Sequence, residues 1–149
     1  MKQFGLFDGE TSLYDLAGTV YEPLMLKEHF RCVPEIIDFS SFDSYDGQIS
    51  ALRGSNTAKV FPALAEYRVE NGQYDSQTKT NEAEAQAIGA LIYGMTQTKE
   101  YDGLTIGVIT MISSNRQEQL ILNEISKHIS TDEMEKRRIV VGRSSSFQG

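Results

Sequence analysis

The chain has no glycine-rich loop closing on Lys-Ser or Lys-Thr and no Gly-x-Gly-x-x-Gly, and it holds a single cysteine and two histidines. Without the first loop there is no P-loop phosphate cradle, and without the second there is no dinucleotide fingerprint. Cys32 alone excludes an internal disulfide and fits a reducing compartment. Cys32 and His29 stand close in sequence, but a zinc site takes about four ligands, and the remaining histidine is His128. No metal centre is therefore expected. So few histidines also leave little room for a Ser/His/Asp set or a Cys/His pair, and no paired catalytic carboxylates stand out. No apolar run approaches the ~18 residues of a membrane span. The N-terminus also lacks the basic start, apolar stretch and cleavage site of a signal peptide. A cytoplasmic protein with no membrane partner is expected, and by itself the chain is expected not to be a catalyst.

What is present suits one globular domain. A chain of 149 residues, 40% apolar and with three prolines, is long enough for a single sizeable core. The net charge of −7 argues against a freestanding nucleic-acid binder, which usually carries a basic surface. The charge is uneven, however. All the excess acid lies in residues 1–100, whereas in 101–149 the bases Arg116, Lys127, Lys136, Arg137, Arg138 and Arg143 balance the acids. A phosphate-tracking face is expected in that last third.

Residues 1–23 have little periodicity, although Ser12 could cap a short helix through Leu13, Tyr14 and Leu16. From Leu24 a short apolar strand is expected to exit at Phe30-Arg31, before a helix from Pro34 to about Phe42. Proline suits a first helical position because it needs no backbone donor there. Residues 43–63 read as a long surface loop, 64–69 as a possible strand and 70–73 as a turn. Asn81 with Glu84 approximates a capping box, and Ile88, Leu91, Ile92 and Met95 recur with helical spacing. Leu104 to Ile112 reads as a strand buried on both faces. Ser114 with Gln117 forms a second capping box ahead of Leu120, Ile121, Ile125 and Ile129, and residues 138–142 form the next strand. Repeated strand, helix and strand predict an α/β domain, a parallel sheet with helices on both faces.

In such a sheet, ligands gather at the carboxyl ends of the strands. Phe30 and Arg31 would lie at one such end, where a ring can stack on a base and a guanidinium can grip phosphate oxygens. The plainer alternative is a core phenylalanine beside a surface arginine in a salt bridge. Thr110 to Asn115 would lie at another strand end. Gly142 to Gly149, rich in hydroxyls and glycine, offers donors to phosphates or is a terminal tail.

The run Leu26-Lys27-Glu28-His29-Phe30-Arg31-Cys32-Val33-Pro34-Glu35-Ile36-Ile37-Asp38-Phe39-Ser40, followed by Tyr45-Asp46-Gly47, resembles motif IV of superfamily 1 helicases. The resemblance is to the Upf1-like and Dna2-like branch, in particular to large bacterial helicases followed by a nuclease-like domain. Three further blocks follow in the family's order: Asn81-x-x-Glu84-Ala85, Ile106-Gly107-Val108-Ile109-Thr110 with Gln117, and Val140-Val141-Gly142 with Phe147-Gln148-Gly149. The last is similar to motif V. Together they span residues 24–149 and imply the second RecA-like lobe of an ATP-dependent helicase, with residues 1–23 as an N-terminal extension.

The resemblance implies that Phe30 stacks on adenine and Arg31 reaches the γ-phosphate of ATP from across a cleft. Gly149 closes the nucleotide-facing motif V. Thr110, Arg143, Ser144 and Ser145 match positions near single-stranded nucleic acid, DNA ahead of RNA. Mg2+ and the Walker lysine would come from the first RecA-like lobe, so the chain alone is expected to bind no cofactor.

Two departures accompany the match. Arg143 stands where the family has a small hydroxyl residue, and the chain ends just before the family's ribose-binding glutamate and the motif VI arginine. A C-terminally truncated lobe is therefore expected, with an open sheet edge that could pair two copies into a homodimer. The rival expectation is a freestanding small α/β module that binds an anionic ligand or a protein.

Overall fold

The computed structural model describes residues 9–112 and 114–148, in two compact units, Met1–Ala58 and Lys59–Gly149. In unit 1, helix α1 (Leu13–Gly18) begins at Ser12, whose hydroxyl accepts the Asp15 amide at 3.1 Å while the Asp15 carboxylate accepts the Ser12 amide. Strand β1 (Glu28–His29) runs parallel to β2 (Ser50–Ala51), with Glu28 opposite Ser50 and His29 opposite Ala51. Helix α2 (Pro34–Tyr45) connects them, with Val33 as its cap residue and Pro34 in the first turn.

Helix α2 runs beyond Phe42 and ends at Tyr45-Asp46-Gly47, where Asp46 and Gly47 take left-handed φ values of 52° and 70°. Buried Ser41 holds this reversal. Its carbonyl accepts the Gly47 amide at 2.9 Å, and its hydroxyl donates to Ile49 O at 3.1 Å while accepting the Ile49 amide at 3.0 Å. The returning chain is thereby aimed into β2. The apolar stretch from Leu24 yields two strand residues, because among the described residues ladder partners stand only opposite 28 and 29; Leu24 and Leu26 stay exposed. The expected loop over 43–63 contains β2 and a 3-10 turn, Ser55–Thr57.

In unit 2, helix α3 (Glu82–Thr96) is capped by Asn81, whose side-chain oxygen accepts the Glu84 amide at 3.2 Å. Strand β3 (Gly107–Ile109) pairs in parallel with β4 (Val140–Gly142), and the crossover carries helices α4 (Asn115–Ser126) and α5 (Thr131–Lys136). Ala85, Ile92, Ile121, Ile125 and Ile129 form the core, with Val108 and Val141 packed against it from the strands. Arg137 is 4% exposed and ties the parts together. Its guanidinium donates to Glu133 at 2.6 Å, to the Tyr101 carbonyl at 2.6 Å, and to Asp102 and the Thr96 carbonyl. The end of α3, the following turn and α5 thus share one cation. The hydrogen bond from Arg137 holds the Glu133 carboxyl below its ordinary range, and Glu133 in turn raises Arg137.

Three expectations change here. Strand β3 is three residues long and is not buried on both faces: Val108 turns to the core while Ile109 is 52% exposed. Residues 64–69 form no strand, since among the described residues no segment pairs with them. The second capping box is also absent, because the Ser114 hydroxyl accepts the Arg116 amide and the Gln117 side chain goes elsewhere. The fold class is α/β, with short parallel strands joined through helices, as a RecA-like fold requires.

Candidate functional site

Phe30 and Arg31 directly follow β1, at the carboxyl end of the β1–β2 pair. The Phe30 ring is 69% exposed, and the Arg31 side chain is open. Among the described residues the Arg31 guanidinium has no hydrogen bond or ion pair. Its backbone, by contrast, is held: the Arg31 carbonyl accepts from Arg53 Nη1 at 2.9 Å, and the next amide, of Cys32, donates to His29 Nε2 at 3.0 Å. The Glu35 carboxyl in the first turn of α2 lies below its ordinary value, chiefly because Ser55 donates to it. A fixed turn therefore presents a free aromatic ring and a free planar cation. This pair could stack on a base and bind phosphate oxygens.

The second group lies in unit 2. The Thr110 amide continues the strand ladder to Gly142 O at 2.9 Å, and its side chain is buried, with the hydroxyl 3.4 Å from Glu118. Arg143 follows β4 and reaches back over the start of α4, where Nε lies 3.4 Å from Glu118 and Nη2 donates to the Asn115 side chain. Ser144 and Ser145 are exposed in a 3-10 turn, Ser144–Phe147. The structure thus brings Thr110, Arg143 and the two serines to one strand end and adds Asn115 and Glu118. Arg143 is half-exposed and is engaged by the largely buried Glu118 carboxylate and by Asn115. A cleft of about 110 Å³ beside Thr110, reaching Glu84, Met111 and Gln117, is too small for a nucleotide base site, which takes roughly 300 Å³ or more. Gly149 lies outside the described residues.

Several residues of the helicase-like blocks serve architecture. Gln117, 2% exposed, accepts the Asn81 amide at 2.8 Å and donates to the Asn81 carbonyl at 3.2 Å, locking α4 to the cap of α3. Gly107 and Gly142 admit the turn after β4. A Cβ on Gly107 would stand 2.8 Å from the Phe147 ring, and one on Gly142 2.7 Å from Ser146 Oγ. The phenylalanine of Phe-Gln-Gly therefore needs the glycine of Gly-Val-Ile-Thr. Sequence reasoning missed Arg53 and Glu118, which act through side-chain contacts over 22 and 25 residues and leave no local pattern.

Among the described residues no cluster of three or more His, Cys, Asp or Glu could hold a metal ion, and no helix is long and apolar enough to cross a membrane. No match to the chain was found among curated proteins or solved structures. The family model described as AAA domain matches residues 10–149. The match covers nearly the whole chain, which therefore belongs to the AAA-domain family, the domain found in superfamily 1 Upf1-like helicases.

Proposed function

We propose that this domain is the second RecA-like motor lobe of an ATP-dependent superfamily 1 helicase. The observation that carries the reading is the Phe30–Arg31 pair, exposed and free of partners among the described residues, on a turn whose backbone is held. Phe30 would stack on adenine, and Arg31 would offer its guanidinium to the phosphates. ATP with Mg2+ supplies the phosphoryl chemistry when bound, and the first lobe would contribute the Walker lysine and the Mg2+ ligands. Thr110, Arg143, Ser144 and Ser145 would line the path of a single strand, DNA ahead of RNA, through contacts that need no base readout. Within the superfamily, the run Leu26–Ser40 favours the branch of large bacterial helicases followed by a nuclease-like domain.

The test is ATP turnover by the protein carrying both lobes, stimulated by single-stranded DNA or by RNA of equal length. Arg31→Ala should lower kcat by about 10³-fold or more, as loss of an arginine finger does, while leaving strand binding intact. Phe30→Ala should chiefly raise KM for ATP. Unchanged turnover in Arg31→Ala, or rapid hydrolysis by this chain alone, would overturn the proposal.

A further inference from the structure

The ladder between β1 and β2 advances in steps of two residues. The Ser50 amide donates to Lys27 O at 2.7 Å, and the Leu52 amide donates to His29 O at 2.8 Å. The next rung would join the amide of residue 54 to the Arg31 carbonyl. That rung is not made by backbone, because the chain leaves the sheet at Gly54 for the 3-10 turn Ser55–Thr57. The Arg53 side chain takes the vacant place, with Nη1 donating to Arg31 O at 2.9 Å.

Arg53 is itself anchored. Its Nε donates to Thr57 Oγ1 at 3.1 Å, and the single proton of that hydroxyl is spent on Gly54 O at 2.7 Å, so its oxygen is left as an acceptor. The fork of the guanidinium serves the two acceptors from two separate nitrogens, Nε and Nη1, in one fixed plane. On the other side of the same peptide group, His29 Nε2 accepts the Cys32 amide at 3.0 Å. Both polar atoms of the peptide after Arg31 are thus held by side chains, and the Arg31 guanidinium is held by none among the described residues.

We infer that Arg53, with His29 opposite, is a positioning residue for Arg31: it extends the sheet by one side-chain rung and sets the direction in which Arg31 leaves the strand. The inference rests on the role proposed for Arg31 above. It separates two tasks between two arginines, one tied to backbone and one kept free for an anion. Holding a charged group in its working geometry matters because a misplacement of about 1 Å can cost about 10²-fold in rate.

The test uses the protein carrying both lobes. Arg53→Ala is expected to lower kcat by about 10²-fold with KM for ATP little changed. Hydrogen exchange at the Cys32 amide, a readout independent of turnover, should accelerate at least about tenfold, as a lost local restraint allows, while α3 and α4 stay protected. Arg53→Lys should recover part of the rate, and Thr57→Val, which removes only the anchor, should lose less than Arg53→Ala. These milder variants carry the test if Arg53→Ala does not fold. Arg31→Ala combined with Arg53→Ala should be no slower than Arg31→Ala alone, since one residue acts through the other. A further loss in the double variant overturns the inference, as do full turnover and slow Cys32 exchange in Arg53→Ala when Arg31→Ala is inactive. Full turnover in Arg31→Ala instead overturns the motor reading itself.

Discussion

Unit 2 packs Ala85, Ile92, Ile121, Ile125 and Ile129 into a core, whereas the described part of unit 1 buries Val33 as its one core apolar side chain and leaves Ile36, Phe39 and Phe42 of α2 exposed. Both units use a parallel pair of strands joined through helix, yet they are held differently. In unit 2, burial fixes the strands and the polar groups at their ends are tied to one another, as Thr110, Glu118 and Arg143 are. In unit 1, hydrogen bonds donated by Ser41 and Arg53 and one accepted by His29 fix the backbone, while Phe30 and the Arg31 guanidinium stand open. A turn held through its peptide groups can keep its side chains available for a ligand.

Core truncation should expose the contrast most strongly. Ile125→Ala removes a fully buried side chain and should destabilise unit 2 by about 2–5 kcal/mol in denaturant unfolding; a loss confined to unit 1 amides would contradict the division. Gln117→Ala should cost less, about 1–3 kcal/mol, by leaving the Asn81 amide without its partner while the Asn81 carbonyl keeps the Ala85 amide, with hydrogen exchange rising first at the start of α3.

Acid should act on both units through depressed carboxyls. Glu133 lies below its ordinary value of 4.5 chiefly through its hydrogen bond from Arg137. Asp75 is lowered chiefly by the Gln77 amide, and Glu35 chiefly by Ser55. Because the folded pKa is the lower one, the stabilisation is complete above the unfolded value and is lost as pH falls through the folded value. Thermal melts should therefore weaken below about pH 4.5, and Glu133→Gln should flatten that acid limb for unit 2. The smallest effect is expected from Phe39→Ser with Phe42→Ser. These side chains are 74% and 75% exposed, so stability should change by about 0.5 kcal/mol or less. A large loss there would show that unit 1 relies on apolar packing after all.

Helix starts were the most legible features, because caps are local. Ser12, Pro34 and Asn81 each open the helix that their sequence announces. The isoleucine spacing in α4 likewise pointed to the core that Ile121 and Ile125 form. Strand lengths were not legible, since a strand lasts only while a neighbour pairs with it. The nine apolar-rich residues from Leu104 to Ile112 supply three strand residues, and two strand residues, Ser50–Ala51, lie where composition suggests a loop. Gln117 misled for a related reason: its spacing from Ser114 fits a capping box, but a better pair of partners waits at Asn81, distant in sequence.

By itself, the sequence determined the α/β class, the helix caps, the missing phosphate cradle and the adjacent Phe30 and Arg31, all of which depend on neighbouring residues or on a short ordered pattern. Only the tertiary structure decided which of those residues are free to act. It engaged Arg143 with Glu118 and Asn115, seated Phe147 against Gly107, spent Gln117 on a helix cap and left Arg31 open beyond a rung supplied by Arg53. Availability for a ligand is what remains after the contacts between distant residues are made, and those contacts are set by where the folded backbone brings side chains together.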